Sequence, residues 1–320
     1  MFKTNRLLIL ALSFSLGLVS CQSAHRQLEN LHNLPAQSPG QTSKPNDSLQ
    51  SQVMQIASLA RGRVGVSAII LETGETLATL NPKDHFPMQS VYKLPISMAV
   101  MKQVDDGKLK LDQKVRIAKQ DYVGAAAYSP VRDQNPNGAE LTVDELLRYT
   151  LIESDGTTSD ALMKLAGNAS AVQSYLTGLQ VNDLTVINTE KEFSQDSTFQ
   201  YRNYATPESA VNLLRALWER RGLSAASQAL LLKYMTESKP GAKRLKGLLP
   251  PGTIVAHKTG TSGTEKGITA ATNDIGIITL PNGKHLAIAV FVSDSPTDEG
   301  TREGVIAQIS KAIYDVARAL

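Results

Sequence analysis

The sequence predicts an α/β fold of the α+β kind. One antiparallel sheet, flanked by helices, is built from both ends of the chain. A mostly helical lobe lies between those ends, and a cleft forms where the two lobes meet. Three observations predict it. β-rich runs with tight-turn signals occupy residues 64–80 and 274–292. Amphipathic helical runs lie just outside them at either end. The long stretch from about Ser90 to about Met235 is mostly helical in pattern.

The first residues belong to none of this. Lys3 and Arg6 precede an apolar stretch from Leu7 to Val19, the charged and hydrophobic regions of a secretory signal. The stretch is short for a membrane span. It ends in Leu18-Val19-Ser20-Cys21, which resembles the lipobox of bacterial lipoproteins; that resemblance implies lipidation at Cys21. A plain signal peptide is the other reading of residues 1–21. Cys21 is the only cysteine, so no intramolecular disulfide is available. Residues 22–46 are polar, rich in Ser, Pro, Gln and Asn, and lack hydrophobic periodicity. They are expected to form a flexible tether.

The folded body is expected over 47–320, with a sheet lobe at about 47–89 and 236–320 and a helical lobe at about 90–235. Asp47-Ser48 reads as an N-cap, and Leu49, Val53, Ile56 and Leu59 then recur on one helical face. Gly62 and Gly65 bracket the end of that helix. Val64–Leu71 and Glu75–Leu80 read as strands joined at Thr73-Gly74. Near the other end, Asp274–Leu280 and His285–Val292 flank Pro281-Asn282-Gly283, a hairpin signal. A last helix from about Thr301 places Val305, Ile309, Ile313, Val316 and Leu320 on one stripe.

Three short patterns point to chemistry. Ser90 and Lys93 lie three apart at the start of a helical run, so they share a face and the ammonium can reach the hydroxyl. A serine alcohol is a weak nucleophile and needs such a proton partner. No other serine in the chain has a lysine three residues on. His257-Lys258-Thr259-Gly260-Thr261-Ser262-Gly263 follows Ile254-Val255-Ala256 and reads as an edge strand presenting Lys258 to a cleft. Its glycines permit close approach of a ligand backbone. Ser154-Asp155-Gly156 lies in the helical middle, either lowering a hydroxyl into the cleft or capping the next helix.

Ser-x-x-Lys, Ser-Asp-x and Lys-Thr-Gly, in that order, form the set found in class A β-lactamases and penicillin-binding proteins. The chain resembles that superfamily over about residues 50–318. The run Phe86-Pro87-Met88-Gln89-Ser90-Val91-Tyr92-Lys93-Leu94-Pro95-Ile96, Tyr128-Ser129-Pro130-Val131 and the Lys258 strand are each close to class A members. The nearest likeness is to the extended-spectrum subgroup of Gram-negative bacteria. The resemblance implies hydrolysis of the β-lactam amide through an acyl-enzyme on Ser90, with Lys93 as its proton partner. Ser154 is then the proton relay to the leaving nitrogen. Tyr128, Gly156, Lys258, Thr259, Gly260, Thr261 and Ser262 become the substrate-binding set, and the N–H groups of Ser90 and Thr261 form the oxyanion hole. Glu190, 36 residues beyond Ser154, corresponds to the glutamate that activates the deacylating water; Glu192 is its competitor.

The chain departs from the pattern in four places. Gly156 stands where the family has the asparagine of Ser-Asp-Asn, and Ser194 where an asparagine helps position water. Asn188 and Asn203 replace an Arg–Asp ion pair in the glutamate loop. Asp160 replaces an asparagine, a change shared with the extended-spectrum subgroup, and sets a carboxylate against the glutamate. A rebuilt, roomier loop is therefore expected. The arginine that commonly assists carboxylate binding is absent from Thr264–Asp274, leaving Lys266 or Thr269 as substitutes.

The remaining features exclude other classes. A net charge of +3 over 320 residues, with no basic run beside aromatics, gives no reason to expect nucleic acid. His25, His32, His85, His257 and His285 have no zinc-site spacing, so neither metal nor cofactor is implied. The expected partner is a small β-lactam, with membrane contact only through Cys21 and a monomeric state. Two rivals share the serine machinery: a penicillin-binding D-Ala-D-Ala peptidase and a non-hydrolytic β-lactam-binding lipoprotein.

Overall fold

The computed structural model describes residues 45–193 and 197–320. The signal segment, Cys21, Ser194 and all of the expected tether before Pro45 lie outside the described residues.

Helix α1 (Pro45–Ser58) begins two residues before the anticipated Asp47 cap, so Pro45 and Asn46 are helical rather than tether. Leu49 and Val53 are buried and Ile56 packs against the same cluster. Leu59, expected on that face, is 50% exposed because the helix stops at Ser58 and the chain turns at Arg61, which has φ +51°. Leu320 is likewise exposed, since the last helix, Glu299–Ala317, ends before it.

The main sheet has five strands: β1 (Arg63–Ile70), β2 (Thr76–Leu80), β3 (Val255–Thr261), β4 (Thr272–Thr279) and β5 (His285–Ser293). Their order is β2-β1-β5-β4-β3, with every neighbouring pair antiparallel. The two chain ends meet where Arg63 to Ile70 pairs in reverse with Ser293 to Leu286. Strand alternation sends side chains to opposite faces. Leu286, Ile288, Val290 and Val292 therefore join one core, together with α1 and the C-terminal helix α6 (Glu299–Ala317). Ala287, Ala289 and Phe291 join the other, beneath the inserted helices.

That insertion contains α2 (Lys93–Asp105), α3 (Gly156–Leu165), α4 (Pro207–Trp218) and α5 (Ala225–Thr236). α4 lies across β1 and β5, and α5 reaches β3. The insertion also contains strands too short to register as a period. Phe86-Pro87 pairs with Tyr204-Ala205, which pairs with Leu184-Thr185, and Lys114–Ile117 pairs with Ala139–Thr142. β3 is an edge strand, and its free side faces the turn that leads into α2. The molecule's chemistry gathers at this seam.

Because Ile288 is fully buried on a central strand, Ile288→Ala should lower the unfolding free energy by roughly 2–5 kcal/mol, read by urea titration.

Candidate active site

The seam is set by backbone approach. After Phe86-Pro87 the chain makes a 3-10 turn, Gln89–Tyr92, and enters α2 at Lys93. Asn273 on β4 donates to the carbonyls of Pro87 (2.8 Å) and Met88 (3.2 Å), pinning the turn to the sheet. A Cβ on Gly260 would sit 2.2 Å from the Met88 carbonyl oxygen, so β3 can lie this close to the turn only with glycine there. Lys93 is 1% exposed. Its ammonium donates to Ser90 Oγ (3.0 Å) and to the Ser154 carbonyl (2.7 Å), and lies 3.4 Å from Glu190 Oε2.

Ser154 reaches the cleft from the opposite wall. A π-helical turn, Tyr149–Glu153, ends at Ser154 in the left-handed region (φ +63°). Asp155, fully buried, then caps α3 by accepting from Thr158 N at 2.8 Å, and also accepts from Val131 N and Ser129 Oγ. Both readings of this tripeptide therefore apply, to different residues: Asp155 is the cap, and Ser154 presents its hydroxyl. Ser154 Oγ accepts from Lys258 Nζ at 2.9 Å. Burial foremost, and the nearby Lys93 charge next, hold the Lys258 ammonium well below the usual lysine range. Asp274 and Glu190 oppose that shift.

The third wall is the segment with the short helix Glu190–Phe193. Glu190 Oε2 accepts from the Tyr92 hydroxyl at 2.9 Å. Burial and the Glu190 charge push the Tyr92 phenol far up, which keeps it a donor. Glu192 turns away: its carboxylate accepts from the Thr189 N–H and the Asn188 amide and so caps its own turn. Of the two carboxylates, Glu190 alone is brought to Lys93 and Tyr92. A Cβ on Gly156 would lie 2.8 Å from Glu190 Cγ and 3.2 Å from the Tyr128 carbonyl, so the missing side chain leaves the space Glu190 uses.

The expected clash between Asp160 and Glu190 is met by backbone amides. Asp160 accepts from the N–H groups of Glu190 (2.8 Å) and Lys191 (2.9 Å). Its carboxyl is nonetheless pushed up to about 7, by burial first and by the Glu190 charge; the two N–H bonds and Lys93 act the other way. Asn188 and Asn203 form a neutral clamp. Buried Asn203 accepts from Ile187 N (2.7 Å) and Asn188 N (2.9 Å) and donates to the Asn188 carbonyl (2.8 Å).

Along the rim, Tyr128 is 61% exposed. Buried Thr259 has its methyl toward Gly241, whereas Thr261 is exposed at the end of β3. Ser262 N–H donates to the Ala271 carbonyl (3.0 Å), so the alternation of a strand turns the Thr261 N–H away from the sheet. The Ser262 hydroxyl is engaged with the backbone of Gly263 and Ala271. Neither candidate for the missing arginine is placed beside Thr261 by a hydrogen bond: Thr269 is buried against the Thr264 hydroxyl, and Lys266 is exposed on a turn. The residue that sequence reading missed is Arg244. Held by Glu303 and by the carbonyls of Gly260 and Asn273, it donates to Thr261 Oγ1 at 2.8 Å. It precedes β3 rather than following it, and no local pattern marks it.

This arrangement has known counterparts. The sequence profile of the β-lactamase enzyme family matches residues 48–317. The β-lactamase VEB-1 of Pseudomonas aeruginosa is 40% identical over 84% of this chain and 90% of its own. The extended-spectrum β-lactamase PER-1 of the same organism is 40% identical over 86% and 89%. A solved β-lactamase from Chitinophaga pinensis superposes with a TM-score of 0.82 at 46% identity, covering 84% of this chain and 99% of that one. The chain belongs to the β-lactamase enzyme family, and within it to the class A serine enzymes.

Asp160 gives this site a pH signature. Its folded value of about 7 stands above the ordinary 3.8, so the native state holds the extra proton between those limits. The contribution of Asp160 to stability is therefore full below about pH 4 and lost as pH rises through 7. Asp160→Asn should remove that decline, giving a difference between pH 5 and pH 8 that is smaller than wild type by roughly 1–4 kcal/mol in urea unfolding.

Proposed function

We propose that Ser90 opens the amide of β-lactam antibiotics, and that water activated by Glu190 then hydrolyses the ester. The observation that carries this reading is the position of the Lys93 ammonium, in contact with Ser90 Oγ and 3.4 Å from Glu190. It links the nucleophile of the first half-reaction to the base of the second. Ser90 Oγ attacks the lactam carbonyl carbon; Lys93, having released one ammonium proton to water or to Glu190, takes the Ser90 proton on its amine. The oxyanion is held by the N–H groups of Ser90 and Thr261, donors worth about 3 kcal/mol each in such sites. As the C–N bond breaks, the nitrogen takes the Ser154 proton, which Lys258 Nζ replaces across 2.9 Å. The lowered proton affinity of Lys258 suits that donation.

Substrate is held by Lys258, Thr259 and Thr261, with Arg244 aligning the Thr261 hydroxyl toward the substrate carboxylate. Gly260 lets the substrate amide approach β3, and Tyr128, Gly156 and Ser262 complete the binding walls. An extended spectrum, as in the extended-spectrum β-lactamase PER-1, accords with a cleft wall that lacks the side chain at Gly156. In the cell we place the catalytic body, residues 45–320, as an exported monomer in the periplasm. The signal at 1–21, a tether that ends before Pro45 and lipidation of Cys21 supply its anchor. The peptidase and binding-lipoprotein rivals lack a role for Glu190, which here contacts both Tyr92 and Lys93.

Hydrolysis of a chromogenic cephalosporin by residues 45–320 checks the reading. Wild type should turn over, Ser90→Ala should lose all activity, and Glu190→Gln should accumulate a covalent adduct visible by intact mass. A wild type that stalls as a stable Ser90 adduct would favour the rivals. Gly156→Asn should also acylate normally yet deacylate at least about tenfold more slowly, since its Cβ must displace Glu190. Burst kinetics separate the two steps.

A further inference from the structure

A second cavity, of about 640 Å³, lies against α3 and the Glu190 helix, and none of its lining residues lines the cleft at Thr261 and Glu190. Buried Ile117 and Met163 line it, and Ile187 at its wall is 52% exposed. Its three carboxylates are each engaged by main-chain N–H groups: Asp121 by Ala118, Glu192 by Thr189, and Asp160 by Glu190 and Lys191. Its cations differ. Lys191 donates to the Gln120 carbonyl, whereas the Arg116 and Lys164 side chains have no hydrogen bond or ion pair among the described residues. An apolar chamber with two uncommitted cations at its edge is complementary to one kind of small molecule.

We propose that this cavity binds an organic monoanion with an apolar body, an alkanoate, and that its occupancy slows deacylation. The apolar chain fills the space between Ile117, Met163 and Ile187, and the carboxylate meets Arg116 and Lys164. The coupling runs through Asp160, which lines the cavity and holds the N–H groups of Glu190 and Lys191. An occupant strips water from that carboxylate and favours its neutral form. A neutral carboxyl holds two N–H donors less tightly, so Glu190 loses its fixed position beside Lys93. The coupling rests on the deacylating role of Glu190; the binding does not.

Decanoate is the probe, titrated calorimetrically into the folded body, residues 45–320, that carries the cephalosporin assay. Wild type should bind one equivalent with Kd below about 1 mM, more weakly as salt rises. An Arg116→Ala/Lys164→Ala double variant should bind at least about tenfold more weakly with unchanged basal turnover. Ala169→Phe, which fills the cavity, should abolish binding. Decanoate should lower kcat and leave kcat/KM alone, because acylation precedes the affected step. No binding by wild type overturns the proposal, as does an affinity unchanged in both variants. Inhibition relieved by excess substrate overturns it too, by placing decanoate in the cleft. Binding at the cavity without any change in kcat overturns the coupling alone.

Discussion

A single buried ammonium organises the cleft. Removing the Lys93 charge from water costs several kcal/mol unless acceptors replace the lost hydration. The acceptors come from three separate stretches of chain: the Ser90 turn, the carbonyl at the end of the π-helical turn, and the Glu190 loop. Each stretch is shaped to deliver its oxygen. Ser154 adopts a left-handed backbone, uncommon for a residue with a side chain, and buried Asp155 holds the next helix start in place behind it. A second buried ammonium, Lys258, then stands in the field of the first. The two cations are not equivalent: Lys93 has the Glu190 carboxylate within 3.4 Å, while Lys258 shares its proton with a serine.

The sheet and the serine motifs were legible because both rest on short-range spacing. Alternation along 285–293 and 63–70 marks two faces, and three-residue separation puts Ser90 and Lys93 on one side of a turn. Periodicity does not say where a helix ends, so Leu59 and Leu320 continue an apolar stripe in sequence yet stand in solvent in the fold. Asp160 illustrates a deeper limit. Read by side chains alone, it is a carboxylate facing a carboxylate; in the fold it faces two main-chain N–H groups, which a sequence does not display. Arg244 was hidden for another reason. It reaches Thr261 from a segment outside the strand pair, held there by Glu303 on α6 and by the carbonyls of Gly260 and Asn273.

The glutamate loop is therefore fastened at two points of different character. Asp160 grips the start of its short helix with a carboxylate that is near balance between charged and neutral. Asn203 grips its upstream arm with three bonds from an amide that carries no charge at any ordinary pH. Glu192 and Asn188 knit the turn between them, so the segment is held mostly by contacts with main chain rather than by pairs of opposite side chains.

The Asn203 clamp has an environmental consequence. Exposed ion pairs weaken as dissolved ions crowd around each partner, and at 0.15 M ionic strength interactions beyond about 8 Å are already largely screened. A buried amide bonded to backbone offers dissolved ions nothing to compete for. The loop's upstream anchorage is thus indifferent to salinity, and that part of the catalytic wall keeps one shape in dilute water and in brine.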